Sequence, residues 1–325
     1  MNRKQDTQYN ASSVSMHPDC TPEESHSYRM QGYHPHQSFP ETKKKPRYKP
    51  MVVVLFIVLS VIFVYASTQL VLYFVHSRQA RQEEQMVQTM IAQSEGITEE
   101  PAPAPTPEPS AVLQAVAAPE PTVSYRAPAQ GSKPEALIQF SKALAINPDT
   151  IGQLQMGESI KAYVVQRDNI YYLRHSFTDE YSFSGAIFLD VTCSIYPQSR
   201  NMILHGHNMQ DGTAFGKLSR FDDLNYLNRY PFIEFSTLYE NARYIPFAAV
   251  YYSIDPKSDR FLDLYRINTM STEEFLTFVA KLQKMSEYLV PVYVAGTDQI
   301  LTVTTCATRD DNVRFAVFAV KRNGI

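Results

Sequence analysis

Cysteine is scarce, with three in 325 residues, too few for a disulfide scaffold. No Cys-x-x-Cys pair occurs, which argues against a zinc ribbon. There is no surplus of positive charge either. The 30 Lys and Arg are set against 33 Asp and Glu, for a net charge of −3. The chain therefore lacks the basic field with which nucleic-acid binders hold phosphates. No acidic cluster has calcium-ligand spacing, so no metal and no cofactor is expected. Proline is scarce in one part only: 15 of the 21 prolines precede residue 135, and six lie in the 191 residues from 135 onward. The front is not an ordinary globular domain, whereas the back has the composition of one.

Residues 51–75 read MVVVLFIVLSVIFVYASTQLVLYFV, 25 positions without a charge. As a helix this run spans about 37 Å, more than the ~30 Å hydrocarbon core of a bilayer. A buried core helix is shorter. A cleavable signal peptide would lie nearer the N-terminus and end in a small-residue site. Lys43, Lys44, Lys45, Arg47 and Lys49 crowd the near flank, while only Arg78 and Arg81 follow closely on the other, with Glu83 and Glu84 behind them. The positive-inside rule predicts a single-pass anchor, with residues 1–50 a disordered cytoplasmic tail and everything after 75 outside. Residues 76–98 are polar and helix-favouring, an extension of the membrane helix. Residues 99–134 alternate proline with small residues, the composition of an extended spacer. Together 76–134 read as a stalk and 135–325 as the folded domain.

That domain opens with PEALIQFSKALAIN, whose Leu137, Ile138, Phe140 and Leu144 suggest an amphipathic helix ending before Pro148. Short runs rich in Val, Ile, Tyr and Phe follow: SIKAYVVQ, GAIFLDVT, NMILHG, YIPFAAVYYSI, PVYVAG, ILTVTTCA and FAVFAVK. They predict six to eight strands and a mixed or antiparallel barrel. One long helix interrupts them, STEEFLTFVAKLQKMSEYL. It starts with a capping box from Ser271 to Glu274 and carries an apolar stripe through Phe275, Phe278, Val279, Leu282, Met285 and Leu289.

Few residues here can perform covalent chemistry. Cys20 lies on the cytoplasmic side, which leaves Cys193 and Cys306. A lone cysteine is most often an inert buried residue, but Cys306 ends the strand ILTVTTC, where the polar run ATRDDN begins. Arg314 opens the next strand. A hairpin between them would bring thiol and guanidinium to the same end of adjacent strands, where a cation favours thiolate and steadies an oxyanion. A cysteine nucleophile usually needs a histidine, and His175, His205 and His207 are the candidates.

The same segments resemble a sortase, specifically a class B sortase, over most of residues 140–322. INPDTIGQLQM is similar to the family's entry segment. LHGHNMQDGTAFGKLSRF resembles its histidine motif and TVTTCATRDDNVRFAVFAVK its cysteine–arginine motif. The resemblance implies an eight-stranded barrel with an N-terminal helix and a long helix before the last two strands. It implies catalytic His207, Cys306 and Arg314, the histidine being the one directly before Asn. Arg309 is a rival to Arg314 but lies in the turn. Thr304 and Thr305 are implied substrate contacts. The chain departs from the family at Thr304, where Ser is frequent, at Gln153, where Trp is common, and at Cys193, where a polar residue is usual.

The implied reaction is transpeptidation. Cys306 would attack a threonine carbonyl in the C-terminal sorting motif of a surface protein. The acyl group would pass to an amine of peptidoglycan or a pilin lysine. A monomer at the cell membrane of a Gram-positive type of envelope is expected. Two other classes use the same features: a Cys/His cell-wall peptidase that releases its product to water, and a non-catalytic stalked surface-binding protein.

Overall fold

The computed structural model describes residues 49–95, 133–306 and 312–322. The expected cytoplasmic tail, most of the proline-rich spacer and Arg309 lie outside the described residues. The chain divides into two units, Met1–Ile57 and Val58–Ile325. The described part of the first is the beginning of a helix, α1 (Pro50–Glu95). The second holds the rest of α1 and a barrel.

Neither proline nor glycine occurs between 51 and 95, so nothing interrupts the backbone hydrogen-bond ladder of α1. Its first half is exposed along the apolar run, and it is long and apolar enough to cross a membrane. Its second half is different. Ser77, Ala80, Val87, Ile91 and Ser94 are buried and fall on one face at helical spacing. Val87 and Ile91 join a cluster with Phe140, Tyr163, Tyr172 and Phe177. Residues 76–95, expected to extend the membrane helix, do continue it, and they pack through this face. Only a few apolar side chains make the contact, which is why a polar-looking sequence conceals it.

Eight strands close the barrel: β1 (Thr150–Met156), β2 (Ile160–Val165), β3 (Phe188–Leu189), β4 (Asn201–Gly206), β5 (Ile233–Thr237), β6 (Arg243–Ser253), β7 (Ile300–Cys306) and β8 (Val313–Arg322). Their order around it is β1-β2-β3-β4-β7-β8-β6-β5. The pairs β2–β3 and β4–β7 are parallel and the others antiparallel. β8 pairs with β6 and β7 along nearly its whole length, and its residues 315–320 are all buried. Such a run of Phe, Ala and Val is what a strand covered on both faces requires. β1 and β5 were not recognised in the sequence, because Gln153, Gln155 and Glu234 dilute their apolar pattern. At Gly152 an added Cβ would lie 2.3 Å from the Ser236 carbonyl, so the β1–β5 approach depends on the missing side chain.

Three helices complete the domain: α2 (Ser141–Ile146), α3 (Leu224–Arg229) and α4 (Thr272–Met285). The expected helix from 134 is shorter, a 3-10 turn at Ile138–Phe140 leading into α2. The Leu137 N–H donates to the Leu238 carbonyl, which holds the chain extended up to that point. α4 has the predicted capping box and buries Phe275, Phe278, Val279 and Leu282. It stops at Met285 because the next residues turn to β6: Ser286 Oγ accepts from the Ala249 N–H, and the Glu287 N–H donates to the Ala249 carbonyl. PVYVAG, expected as a strand, alternates buried Val292 and Val294 with exposed neighbours but joins no ladder. Alternation reports burial; pairing requires a neighbour with free backbone groups.

Candidate active site

Strand register assembles the site. Cys306 at the end of β7 pairs with Arg314 on β8, and Arg314 pairs on its other side with Tyr252 of β6. On the opposite flank β4 runs parallel to β7, with His205 level with Thr304 and Gly206 level with Thr305. His207 is the next residue, directly after the end of β4, and follows the Gly206–Thr305 pair that precedes Cys306. One row across three strands thus reads Cys306, Arg314, Tyr252, with His207 one residue past the end of the neighbouring β4. The expected hairpin between Cys306 and Arg314 is present, and the parallel β4–β7 pair adds the histidine from a segment about a hundred residues away.

His207, Arg314 and Tyr252 line a groove of about 540 Å³. His205, Thr304 and Thr305 line it as well, as do Asn169 and Leu173 from the connection between β2 and β3. A further stretch of its wall is Phe261, Leu262, Asp263, Leu264 and Tyr265, from the excursion between β6 and α4. This wall was not anticipated, since its residues carry no periodicity that separates them from an ordinary loop.

His207 is pinned. Its Nε2 lies 2.9 Å from the Leu173 carbonyl. A carbonyl only accepts, so Nε2 carries the proton in that bond and Nδ1 is left to exchange one. The loop behind it is closed: the Phe215 N–H donates to the His207 carbonyl, and Asp211 accepts from both the N–H and the hydroxyl of Thr213. Gly206 permits this closure, because an added Cβ would lie 2.7 Å from the buried Phe215 ring.

His205, the sequence rival, is engaged elsewhere. Its Nε2 lies 2.9 Å from the fully buried carboxylate of Asp190. Burial pushes that carboxyl up, but hydrogen bonds from His205 and from the hydroxyl and N–H of Thr192 outweigh it, and the group is held below its ordinary value. Asn169 donates to the same carboxylate. His175 stacks on Tyr171 at 3.9 Å and does not line the groove.

The two threonines before Cys306 differ. Thr304 donates to the Phe315 carbonyl and accepts from the Tyr252 hydroxyl at 2.9 Å. Thr305 is buried, and its hydroxyl has no hydrogen-bond partner among the described residues. Thr305 is thus the one with hydrogen-bonding capacity to offer a ligand.

No protein-family model matches the chain. Sortase B of Listeria monocytogenes is 31% identical over 170 residues, covering 51% of this chain and 66% of that protein. Sortase B of Staphylococcus aureus is 28% identical over 170 residues, covering 52% of this chain and 67% of that protein. The chain thus spans about two thirds of the length of the curated relatives it matches. The crystal structure of sortase B from B. anthracis in complex with AAEK2 aligns with a TM-score of 0.52 at 28% identity, covering 62% of this chain and 90% of that one. With the closed eight-stranded barrel and a common sequence signal across most of it, the chain belongs to the class B sortases, a family of sortase-type transpeptidases.

Proposed function

We propose that this protein is a membrane-anchored cysteine transpeptidase. It cleaves a C-terminal sorting motif after threonine and transfers the acyl group to an amine of peptidoglycan or a pilin subunit. The Cys306 thiolate attacks the threonine carbonyl carbon. The C–N bond breaks, and the departing amine takes a proton from the His207 imidazolium. A thioester links substrate and enzyme. The incoming amine then attacks that thioester, gives its proton to His207 and displaces the thiolate. Arg314 holds the carbonyl oxygen as it gains charge in each step. Thr305 offers its hydroxyl to the bound peptide, and Thr304 keeps the groove lining in place through Phe315 and Tyr252. The catalytic domain is residues 135–325. α1 anchors it with the N-terminus in the cytoplasm and the barrel outside.

The observation that supports this reading is the Cys306–Arg314 pair on adjacent strands, next to the Gly206–Thr305 pair that leads into His207, with His207 and Arg314 lining one groove. It is tested by mass spectrometry of the full chain incubated with a panel of sorting-motif peptides. Without an amine acceptor, an acyl adduct on Cys306 is expected, and an added amine converts it to the amide product. An adduct on Cys193, or full turnover by Cys306→Ala, overturns the assignment. Hydrolysis alone, unchanged by the amine, replaces transpeptidase with peptidase.

A further inference from the structure

The apolar run of α1 ends at Val75, and the barrel meets the helix at the next residue. The His76 ring packs edge-to-face on Phe183 at 4.6 Å and lies 6.4 Å from Tyr181. Ser77 donates to Asp211. Tyr181 and Phe183 belong to a hairpin, residues 174–183, that precedes β3. In it Tyr181 and Phe183 are 58% and 41% exposed, while Ser182 and Ser184 between and after them are buried. Alternation turns both rings to the same outer side, 5.6 Å apart. The Arg174 guanidinium sits over Phe183 at 5.7 Å.

We infer that this hairpin is a second membrane contact, its two aromatic rings seated in the lipid headgroup layer beside the exit of α1. The inference rests on the reading that α1 crosses a membrane. Twenty-five apolar residues span about 37 Å, so a centred ~30 Å core leaves roughly 3 Å over at each end. His76 then lies about 5 Å beyond the hydrocarbon edge, and Phe183 is against it. This is the depth at which amphipathic rings collect. Tyr73 and Phe74, exposed at the end of the apolar run, belong to the same belt. Continuity with the helix selects lipid over a protein partner, because any bilayer that surrounds residues 58–75 also reaches Phe183.

The hairpin is stiff enough to hold the position. The Ser176 N–H donates to the Glu180 carbonyl and the Ser182 N–H to the Arg174 carbonyl. Its tip is fixed farther along α1, where the Glu83 carboxylate accepts from the N–H and hydroxyl of Thr178. Glu83 is about 10 Å beyond His76 along the helix. Leu173, whose carbonyl holds His207, directly precedes the hairpin, so lipid contact would fix the orientation of the groove above the bilayer.

The chain contains no tryptophan, so each single replacement is an unambiguous fluorescent reporter. The full chain is reconstituted into vesicles of phosphatidylcholine and phosphatidylglycerol that contain lipids with a nitroxide either near the headgroup or deep in the acyl chain. Phe183→Trp and Tyr181→Trp report on the hairpin, and Phe63→Trp reports on the span. Leu289→Trp, exposed just past α4, is the solvent control. α4 packs on β6, which lies opposite β3 in the barrel order. Both hairpin reporters are expected to be quenched by the shallow label several-fold more than the control. If they are quenched no more than the control while Phe63→Trp responds to the deep label, the membrane anchor stands and this contact does not exist. If Phe63→Trp fails to respond to the deep label, the anchor and the contact are both overturned.

Discussion

Cys193 is 5% exposed, its thiol hydrogen-bonds the Asn201 carbonyl at 3.4 Å, and burial pushes its pKa up to about 11. At neutral pH almost none of it is thiolate, and the thiolate is the form that attacks. Cys306 sits in register with an arginine instead. Cys193→Ser is therefore expected to retain turnover, and its thiol should resist alkylation until the protein unfolds. Cys306→Ala should abolish both cleavage and transfer. His207→Ala removes the proton carrier, a loss of typically ~10²–10⁴-fold. Arg314→Ala should cost on the order of 10²–10³-fold if the guanidinium acts on the oxyanion. Arg314→Lys should recover little, since a point charge does not replace a planar fork. Steady-state kinetics on one peptide and one amine check the set, and an Arg314→Ala enzyme with unaltered kcat/KM would remove the arginine from the mechanism.

At the scale of elements, the C-terminal half of α1 is tied to the loop that carries His207. Asp211 accepts from Ser77 and Thr213, and Arg81 lies 3.8 Å away. Burial raises the pKa of this carboxyl, but these donors outweigh it and hold it below the ordinary carboxylate value. A depressed folded-state pKa stabilises the fold above the unfolded value and loses that contribution as pH falls through the folded one. The stability gap between wild type and Asp211→Asn, from urea unfolding, should therefore be widest near neutral pH. It should close below about pH 4. A gap that does not change with pH would mean that the charge of Asp211 does not bind the helix. This tie was not legible in the sequence. The apolar run, the capped α4, and the Cys306–Arg314 hairpin were, because each follows from local pattern. β1 and β5 were not, because their polar residues face outward and their pairing is set by partners far along the chain. Tyr252, Asp190 and the 261–265 wall reach the site only through register and loop packing, neither of which leaves a period in the sequence.

At the scale of the whole molecule, the question is where the folded domain begins. Composition puts the start near 135, after the last cluster of prolines. Packing adds a layer from before the spacer: Ile91 is fully buried and Val87 nearly so, against Phe140, Tyr163 and Phe177. Fully burying one such aliphatic side chain contributes about 1.5–3 kcal/mol. Without the helix, the aromatic face beneath it would be open to water. A chain starting at residue 77 should therefore unfold at a higher temperature than one starting at 135. It should also show a steeper denaturant dependence, since more surface is exposed on unfolding. Ile91→Ala in the longer chain should recover part of the difference, with a loss of roughly 2–5 kcal/mol for a well-packed site. Equal midpoints and slopes for the two chains, with Ile91→Ala silent, would show that the helix rests on the barrel without stabilising it and that the autonomous domain starts at 135.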